Sequence, residues 1–191
     1  MRNKKVILKK AIFLDRDGTI NYDSKDYIKS AEEFKLFPFS VEALVKLYQK
    51  NFELIIITNQ SGISRGFFTD EDLQNIHNKL IRELDKQDAK LLDIFYCPHS
   101  FDSMCQCRKP NTGNIIKAVD KYNIDLSKSW FVGDSEKDII AGNNSGCKTA
   151  FVLSGVRGLT KEIVENWKIK PDLIEENLLT TADKIIELEN L

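Results

Sequence analysis

Residues 11–19 read AIFLDRDGT, in which four apolar residues run directly into an Asp-Arg-Asp-Gly-Thr sequence. Residues 54–61, LIIITNQS, and residues 130–138, WFVGDSEKD, repeat this order, with an apolar run followed by hydroxyl, amide or acidic side chains. A short apolar run without polar alternation is typical of a strand that is buried on both faces of a parallel sheet. We therefore expect these segments to be strands of one sheet, each ending in polar residues.

Strands and helices are predicted to alternate along the whole chain. Short apolar runs predict strands at 11–14, 54–57, 92–96, 130–132, 149–153 and 172–174. Segments with helical spacing of apolar residues predict helices near 40–50, 70–87, 112–123, 136–145, 160–168 and 180–190. This alternation predicts an α/β fold, a doubly wound, Rossmann-like parallel sheet with helices on both faces. No internal repeat or long linker interrupts it, so residues 1–191 are expected to form a single domain.

The predicted helix near 70–87 has the clearest pattern. Its apolar residues recur at spacings of three and four residues, namely Leu73, Ile76, Leu80 and Leu84. Thr69, just before them, is a candidate N-cap. His77 lies within this helix, and we expect a surface or partly buried histidine that binds no metal.

The composition is that of an ordinary globular protein of 191 residues, with 42% hydrophobic and 30% charged residues. Its 28 basic and 29 acidic side chains leave no basic excess for binding nucleic acid or an anionic membrane. The apolar stretch near the N-terminus is broken at Lys9 and Lys10. It is too short for a signal peptide or for the roughly 18 apolar residues that cross a membrane. We expect a cytoplasmic protein with no nucleic-acid or membrane partner.

Acidic side chains are predicted to meet at one edge of the sheet, because the carboxyl ends of parallel strands lie together. Asp15 and Asp17 are two residues apart on an extended chain and can face one pocket. Close carboxylates repel unless a cation lies between them, and Asp134 adds a further acid after another strand. Oxygen ligands of this kind suit Mg²⁺, which also bridges to the phosphate groups of a substrate. Lys109, in the sequence CRKP at 107–110, offers a cation near the same edge.

Cysteine and histidine cluster between residues 97 and 107, in the pattern C-x-H, five residues, C-x-C. Three thiols and an imidazole suit a closed tetrahedral zinc site with the ligands Cys97, His99, Cys105 and Cys107. Such a Zn²⁺ would be structural, because no ligand position remains for a water molecule, and it would fix the Arg108 and Lys109 that follow. A reduced, metal-free cluster and a local disulfide are the alternatives. Cys147 lies elsewhere and is expected to be a small buried side chain.

The signature AIFLDRDGTI, IIITNQSG, CRKP and FVGDSEKD resembles that of the haloacid dehalogenase superfamily of phosphatases. The resemblance implies that Asp15 is the nucleophile and forms an aspartyl-phosphate. It implies that Asp17 is the general acid for the leaving oxygen and then the base that activates water. Mg²⁺ would be held by Asp15, Asp134 and the backbone carbonyl of Asp17, and the transferring phosphoryl group would be bound by Thr58 and Lys109. The segments between these motifs leave no room for the cap domain that many members carry, so a capless core is expected.

A zinc loop that ends in CRKP within a capless phosphatase resembles one branch of this superfamily. The branch includes heptose 1,7-bisphosphate phosphatases and histidinol-phosphate phosphatases. The stretch TNQSGISRGFFT at 58–69 favours the heptose enzymes, whereas the short spacing inside the zinc loop favours the histidinol enzymes. We expect a Mg²⁺-dependent phosphatase acting on a small sugar phosphate, at the 7-phosphate of D-glycero-D-manno-heptose 1,7-bisphosphate, with histidinol phosphate as the alternative substrate.

The expected substrate-binding residues follow from this resemblance and from the charge of a bisphosphate. They are Asn59, Gln60, Ser61, Arg65 and Arg108, together with Asp23, Ser24 and Tyr27 in the loop that contacts the sugar. An acidic rim would suit the amine of histidinol phosphate instead and could come from Asp23, Asp26, Glu32 and Glu33. Ser135 departs from the heptose pattern, in which lysine follows the aspartate, and Asp138 has no assigned role. We expect a monomer; the alternative from another class is a zinc-stapled binding protein without catalysis.

Overall fold

A computed structural model gives the fold of this protein and describes residues 7–155 and 158–190. Within these residues one sheet contains six strands in the order 3-2-1-4-5-6, and all neighbouring strands are parallel. The strands are β1 (Ala11–Leu14), β2 (Glu53–Asn59), β3 (Leu91–Cys97), β4 (Trp130–Gly133), β5 (Lys148–Val152) and β6 (Leu173–Glu175). The chain builds one half of the sheet outward from β1 and then the other half, as in a doubly wound sheet. The predicted fold class is confirmed.

Helices cover both faces of the sheet. They are α1 (Ser40–Gln49), α2 (Asp70–Asp85), α3 (Gly113–Tyr122), α4 (Glu136–Ser145), α5 (Lys161–Glu165) and α6 (Leu178–Leu188), with a short 3₁₀ helix at Leu126–Lys128. Buried residues of α1, α2 and α6 pack in one cluster with Ile12 and Leu14 of β1. Buried residues of α3 and α4 pack in another cluster with Ala11 and Phe13. Successive residues of a strand point to opposite faces, so β1 is buried on both sides, as its apolar run predicts.

Side-chain caps decide where two of the helices begin. Thr69 caps α2, since its hydroxyl accepts a hydrogen bond from the Asp72 backbone N–H at 3.1 Å and its own N–H donates to the Asp72 carboxylate. This confirms the predicted N-cap. Helix α6 begins at Leu178, earlier than predicted, because the Asn177 side chain accepts hydrogen bonds from two backbone N–H groups of its first turn.

His77 is the clearest difference from the sequence-based expectation for α2. Its side chain is buried, with only 3% of its surface exposed, so the expectation of a surface or partly buried histidine is wrong. The residue lies on the same helix face as Leu73 and Leu80, and its ring is near Arg16 and Tyr96 of β3. The spacing of the apolar residues correctly predicts which face of α2 is buried. It does not predict that a polar residue on that face, His77, meets Arg16.

The segments between the phosphatase motifs are short and hold only core elements. Residues 18–57 contain α1 and the first part of β2, and residues 59–108 contain α2, β3 and the cysteine-rich loop. This agrees with the expectation of a core without a cap domain. None of the helices in residues 7–155 and 158–190 combines the length and the apolar character that crossing a membrane requires. The basic start of the chain, residues 1–6, lies outside the described residues.

Candidate active site

The carboxyl ends of the three central strands bring the predicted motif residues together. Asp15 follows β1 directly, and its backbone N–H donates to the carbonyl of Val132 in β4 at 2.9 Å. Thr58 is the second-last residue of β2 and is buried, and Asp134 follows β4 and is also buried. The sheet changes winding direction between β1 and β4, and ligands of such folds bind at this crevice.

Lys109 approaches the same crevice from the loop after β3. Its ammonium lies 2.8 Å from Oδ1 of Asp15 and 2.7 Å from Oδ1 of Asp138, and its side chain is 2% exposed. Asn59, at the end of β2, fixes the backbone of this lysine. The Asn59 side chain accepts from the Lys109 N–H at 3.0 Å and donates to its carbonyl at 3.2 Å. The position of Lys109 is therefore set by Asn59 at the end of β2 and by Asp15, which follows the neighbouring strand β1.

Asp138 is the partner of Lys109 that sequence reasoning left without a role. It is completely buried in the first turn of α4. One carboxylate oxygen pairs with Lys109, and the other accepts hydrogen bonds from the backbone N–H and the hydroxyl of Ser135. Ser135 and Asp138 thus form the capping box of α4. The spacing Ser-x-x-Asp at 135–138, which is typical of a capping box, is the signal in the sequence that could have identified this arrangement.

The carboxylate of Asp17 is held on several sides. Its Oδ1 accepts from Nε and Nη2 of Arg16 at 3.0 and 2.8 Å and from Nδ2 of Asn21 at 2.8 Å. Its Oδ2 accepts from Nη2 of Arg16 at 2.8 Å and from Nε2 of Gln60 at 2.7 Å. Burial raises the pKa of Asp17, but the Arg16 charge and these hydrogen bonds offset it and lower the pKa overall.

Two other carboxylates at the site hold protons more readily than usual. Burial, opposed by the charge of Lys109, raises the pKa of Asp15 to about 7. Burial and the charges of Asp15 and Asp138 raise the pKa of Asp134 to about 9. Buried carboxylates that repel one another in this way become stable as anions when a cation lies between them.

The donor atoms of this cluster fit a hard cation. Carboxylate oxygens of Asp15, Asp134 and Asp138 all lie within 4.8 Å of one another. Both oxygens of Asp138 are already paired, with Lys109 and Ser135, whereas Asp15 pairs through Oδ1 alone. Asp15 and Asp134 are therefore the carboxylates available to an ion. Oxygen donors alone suit Mg²⁺. Gly18, with a φ of +83°, packs its backbone against Asp134, where an added Cβ would lie 2.1 Å from Oδ2.

One cavity of about 410 Å³ opens onto these residues. The expected site residues that line it are Asp15, Asp17, Asp23, Ser24, Tyr27, Thr58, Asn59, Gln60, Arg108 and Asp134. Two cations that sequence reasoning missed also line it. Lys25 lies in the loop with Asp23 and Ser24, and Lys137 lies in the first turn of α4.

Three residues expected to bind substrate do not line this cavity. Lys109 is buried between Asp15 and Asp138. Ser61 is buried, and its carbonyl accepts from the hydroxyl of Ser64 at 3.0 Å. Arg65 is exposed, and its guanidinium lies over the ring of Phe101 in the zinc loop, 5.3 Å from the ring centroid. Their substrate contacts remain predictions.

The cysteine cluster has the geometry of a metal site. The thiol of Cys97 lies 3.6 Å from that of Cys105 and 3.3 Å from that of Cys107, and Nδ1 of His99 lies 3.2 Å from the Cys107 thiol. All of the chain's cysteines are free thiols, so the local disulfide is not formed. The four ligand atoms lie within 4.8 Å of one another, and one imidazole with three thiols suits tetrahedral Zn²⁺. The loop also orients the next residue, since Arg108 donates to the His99 carbonyl at 3.2 Å.

Comparison with known proteins assigns the class. A family model described as HAD-hydrolase-like matches residues 106–181. The chain is 41% identical over 164 residues to the D-glycero-beta-D-manno-heptose-1,7-bisphosphate 7-phosphatase of Pseudomonas aeruginosa, covering 85% of this chain and 92% of the relative. It is 39% identical over 145 residues to the D-glycero-alpha-D-manno-heptose-1,7-bisphosphate 7-phosphatase of Campylobacter jejuni, covering 76% of this chain and 83% of the relative.

A solved structure agrees with these sequence relatives. The crystal structure of D,D-heptose 1,7-bisphosphate phosphatase from B. bronchiseptica, complexed with magnesium and phosphate, matches with a TM-score of 0.85 at 34% identity. The match covers 94% of this chain and 99% of that chain. The chain belongs to the haloacid dehalogenase-like phosphatases.

Proposed function

We propose that this phosphatase removes the 7-phosphate of D-glycero-D-manno-heptose 1,7-bisphosphate, in the synthesis of lipopolysaccharide precursors. The observation that carries the proposal is the buried contact of 2.8 Å between Lys109 and Asp15, which lines the cavity together with Asp134. The relatives from P. aeruginosa and C. jejuni are named for this substrate, in its two anomeric forms, which supports heptose over the histidinol-phosphate alternative.

The chain's own side chains account for both steps of the hydrolysis. A carboxylate oxygen of Asp15 attacks phosphorus, and the bond from phosphorus to the sugar oxygen breaks. Asp17 enters this step protonated, against the lowering of its pKa by Arg16, and gives that oxygen its proton. Asp17 then takes a proton from the water molecule that attacks the aspartyl-phosphate. Inorganic phosphate leaves and Asp15 is restored. Thr58 and Lys109 bind the phosphoryl oxygens throughout, which aligns the group and offsets its charge.

Mg²⁺ fits the acidic side of this cavity. Asp15, Asp134 and the backbone carbonyl of Asp17 would hold the ion, which would offset the negative charge of the carboxylates and of the phosphoryl oxygens. The raised pKa values of Asp15 and Asp134 support this placement, because both reflect buried carboxylates whose desolvation and mutual repulsion Lys109 offsets only in part.

The remaining cations of the cavity fit the second phosphate of the substrate. Arg108, Lys25 and Lys137 come from three different segments and line the same cavity. Within residues 7–155 and 158–190 no carboxylate forms an ion pair with any of them. A bisphosphate brings a second group with about two negative charges, which these cations can balance. Histidinol phosphate would bring an amine instead.

The proposal also covers the role of the zinc loop, the oligomeric state of the enzyme and its location in the cell. Zn²⁺ on Cys97, His99, Cys105 and Cys107 would be structural and would hold the backbone of Arg108 at the cavity. We further propose a monomeric, single-domain enzyme over residues 1–191 that acts in the cytoplasm without a nucleic-acid or membrane partner. The balance of 28 basic and 29 acidic side chains supports the last point.

The test is a comparison of kcat/KM with Mg²⁺ for both anomers of heptose 1,7-bisphosphate, histidinol phosphate and fructose 1,6-bisphosphate. We expect one heptose anomer to be preferred by roughly 10²-fold or more, a ratio within reach of a site that hydrogen-bonds its substrate. A preference for histidinol phosphate would overturn the substrate assignment. Absence of turnover with every phosphate ester would instead support the zinc-stapled binding protein.

A further inference from the structure

Arg16 is a completely buried cation that the mechanism above does not use. It lies between the two aspartates of the DRDGT sequence, and 0% of its surface is exposed. Its backbone N–H donates to Oδ1 of Asp15 at 2.7 Å, whereas its side chain turns to the other aspartate. Through Nε and Nη2 the guanidinium contacts both carboxylate oxygens of Asp17, at 2.8 to 3.0 Å. A fork of this kind fixes the orientation of a carboxylate as well as its charge.

The opposite end of the guanidinium meets His77. Nη1 of Arg16 lies 3.5 Å from Nε2 of His77, which comes from the middle of α2. Arginine has only donors, so Nε2 is the acceptor and the imidazole is neutral with its proton on Nδ1. Burial and the charge of Arg16 lower the pKa of His77 to about 3, in agreement with a neutral ring. The ring of Phe34 lies 5.8 Å from the guanidinium carbon and closes one face.

We propose that Arg16 and His77 are a positioning pair that holds the carboxylate of Asp17 in the orientation needed for proton transfer. Neither residue lines the cavity, so both act through Asp17 and not on the substrate. The inference rests on the proposed function, since it assigns Asp17 the transferred proton. Buried ion pairs contribute little net stability, because desolvation cancels much of the attraction. The arrangement is therefore better explained by geometry than by a gain in folding free energy.

The leaving group separates a positioning role from a structural one. A sugar alkoxide is a poor leaving group and depends on the proton that Asp17 supplies, whereas p-nitrophenolate leaves readily without it. Loss of orientation at Asp17 should therefore lower kcat/KM for heptose bisphosphate and spare kcat/KM for p-nitrophenyl phosphate, since kcat/KM reports only the steps up to release of the leaving group. The second step uses Asp17 as the base with either substrate, so kcat can fall for both. General damage to the cavity would lower kcat/KM equally for both substrates.

The experiment compares kcat/KM on these two substrates for Arg16→Lys, His77→Gln and His77→Leu. For Arg16→Lys we expect kcat/KM for heptose bisphosphate to fall about 100-fold, the size of effect that misplacing a reacting group produces. The kcat/KM for p-nitrophenyl phosphate should stay within about threefold. His77→Gln keeps an acceptor for Arg16 and should retain more activity than His77→Leu. Arg82→Lys, on the exposed side of α2, is the matched control.

Two outcomes would overturn the proposal, and Asp17→Asn shows which assumption failed. An equal loss of kcat/KM on both substrates, in variants whose circular dichroism matches the parent protein, means that the pair is only structural. If Asp17→Asn shows the leaving-group dependence but folded Arg16 and His77 variants do not, the positioning role is wrong and the proposed function stands. If Asp17→Asn itself hydrolyses heptose bisphosphate normally, the proposed mechanism fails first. Should Arg16→Lys not fold, His77→Gln carries the test, because it lies outside the DRDGT sequence.

Discussion

The ammonium of Lys109 lies 2.8 Å from a carboxylate oxygen of Asp15, and the two groups belong to segments that are distant in sequence. The lysine is buried and is shared with Asp138, which lies 2.7 Å from it on the other side. Two carboxylates therefore hold one buried cation, and one of them, Asp15, lines the cavity. Desolvation lowers the pKa of Lys109, but the charges of Asp138 and Asp15 more than offset it and raise the pKa overall. The lysine thus stays protonated, as binding of a phosphoryl group requires.

Replacement of the proposed nucleophile should separate activity from stability. In Asp15→Asn we expect turnover to fall by roughly 10³-fold or more, because the amide cannot form the acyl-phosphate. The melting temperature should not fall, because the change removes one of several mutually repelling buried carboxylates and leaves Asp138 to pair with Lys109. Asp120→Asn, exposed on α3, is the control. Near-normal turnover in Asp15→Asn would contradict the mechanism.

Binding of Mg²⁺ should depend on pH with a defined sign. Without Mg²⁺, the pKa of Asp15 is raised to about 7 and that of Asp134 to about 9, so both hold protons at low pH. An ion must displace these protons, so its affinity should rise as pH increases from 6 through 9. The check is calorimetric titration with Mg²⁺ in two buffers of different ionisation enthalpy, which reports proton release. An affinity that is constant over this range would show that these groups do not bind the ion.

The cations on the cavity wall should distinguish a bisphosphate from a monophosphate. In Lys137→Ala and Lys25→Ala we expect KM for heptose 1,7-bisphosphate to rise about tenfold, as loss of one partner of a charged phosphate group predicts. KM for heptose 7-phosphate should change little, since that substrate lacks the second phosphate. Lys117→Ala, exposed on α3 and away from the cavity, is the control. Equal increases in KM for the two substrates would show that these lysines attract any anionic substrate and do not bind the second phosphate.

Metal analysis tests the cysteine cluster. We expect about one zinc per chain, as a site with three thiolates and one imidazole requires. Cys107→Ser should lose the metal and lower the melting temperature, because the loop is held by its ligands. Cys147→Ala should keep the metal, since this buried thiol lies outside the cluster. A folded, active preparation without zinc would exclude a structural ion here.

Much of the fold follows from local sequence. The continuous apolar runs place β1, β2 and β4 in the interior, and the polar residues after them mark the carboxyl edge of the sheet. Thr69 and the spacing of apolar residues identify α2. The zinc ligands lie within one short loop, so their spacing alone brings them together. Each of these features depends on residues that are close in sequence.

Contacts between distant segments were decided only in the tertiary structure. No local pattern pairs Lys109 with Asp138, or turns the side chain of Arg16 from Asp15 toward His77. Lys25 and Lys137 reach the cavity because a loop and a helix end meet there, whereas Arg65 points to the zinc loop. Spacing in the sequence fixes which side of a strand or helix a residue occupies. The partner on that side depends on how whole elements pack, and packing is a property of the complete chain.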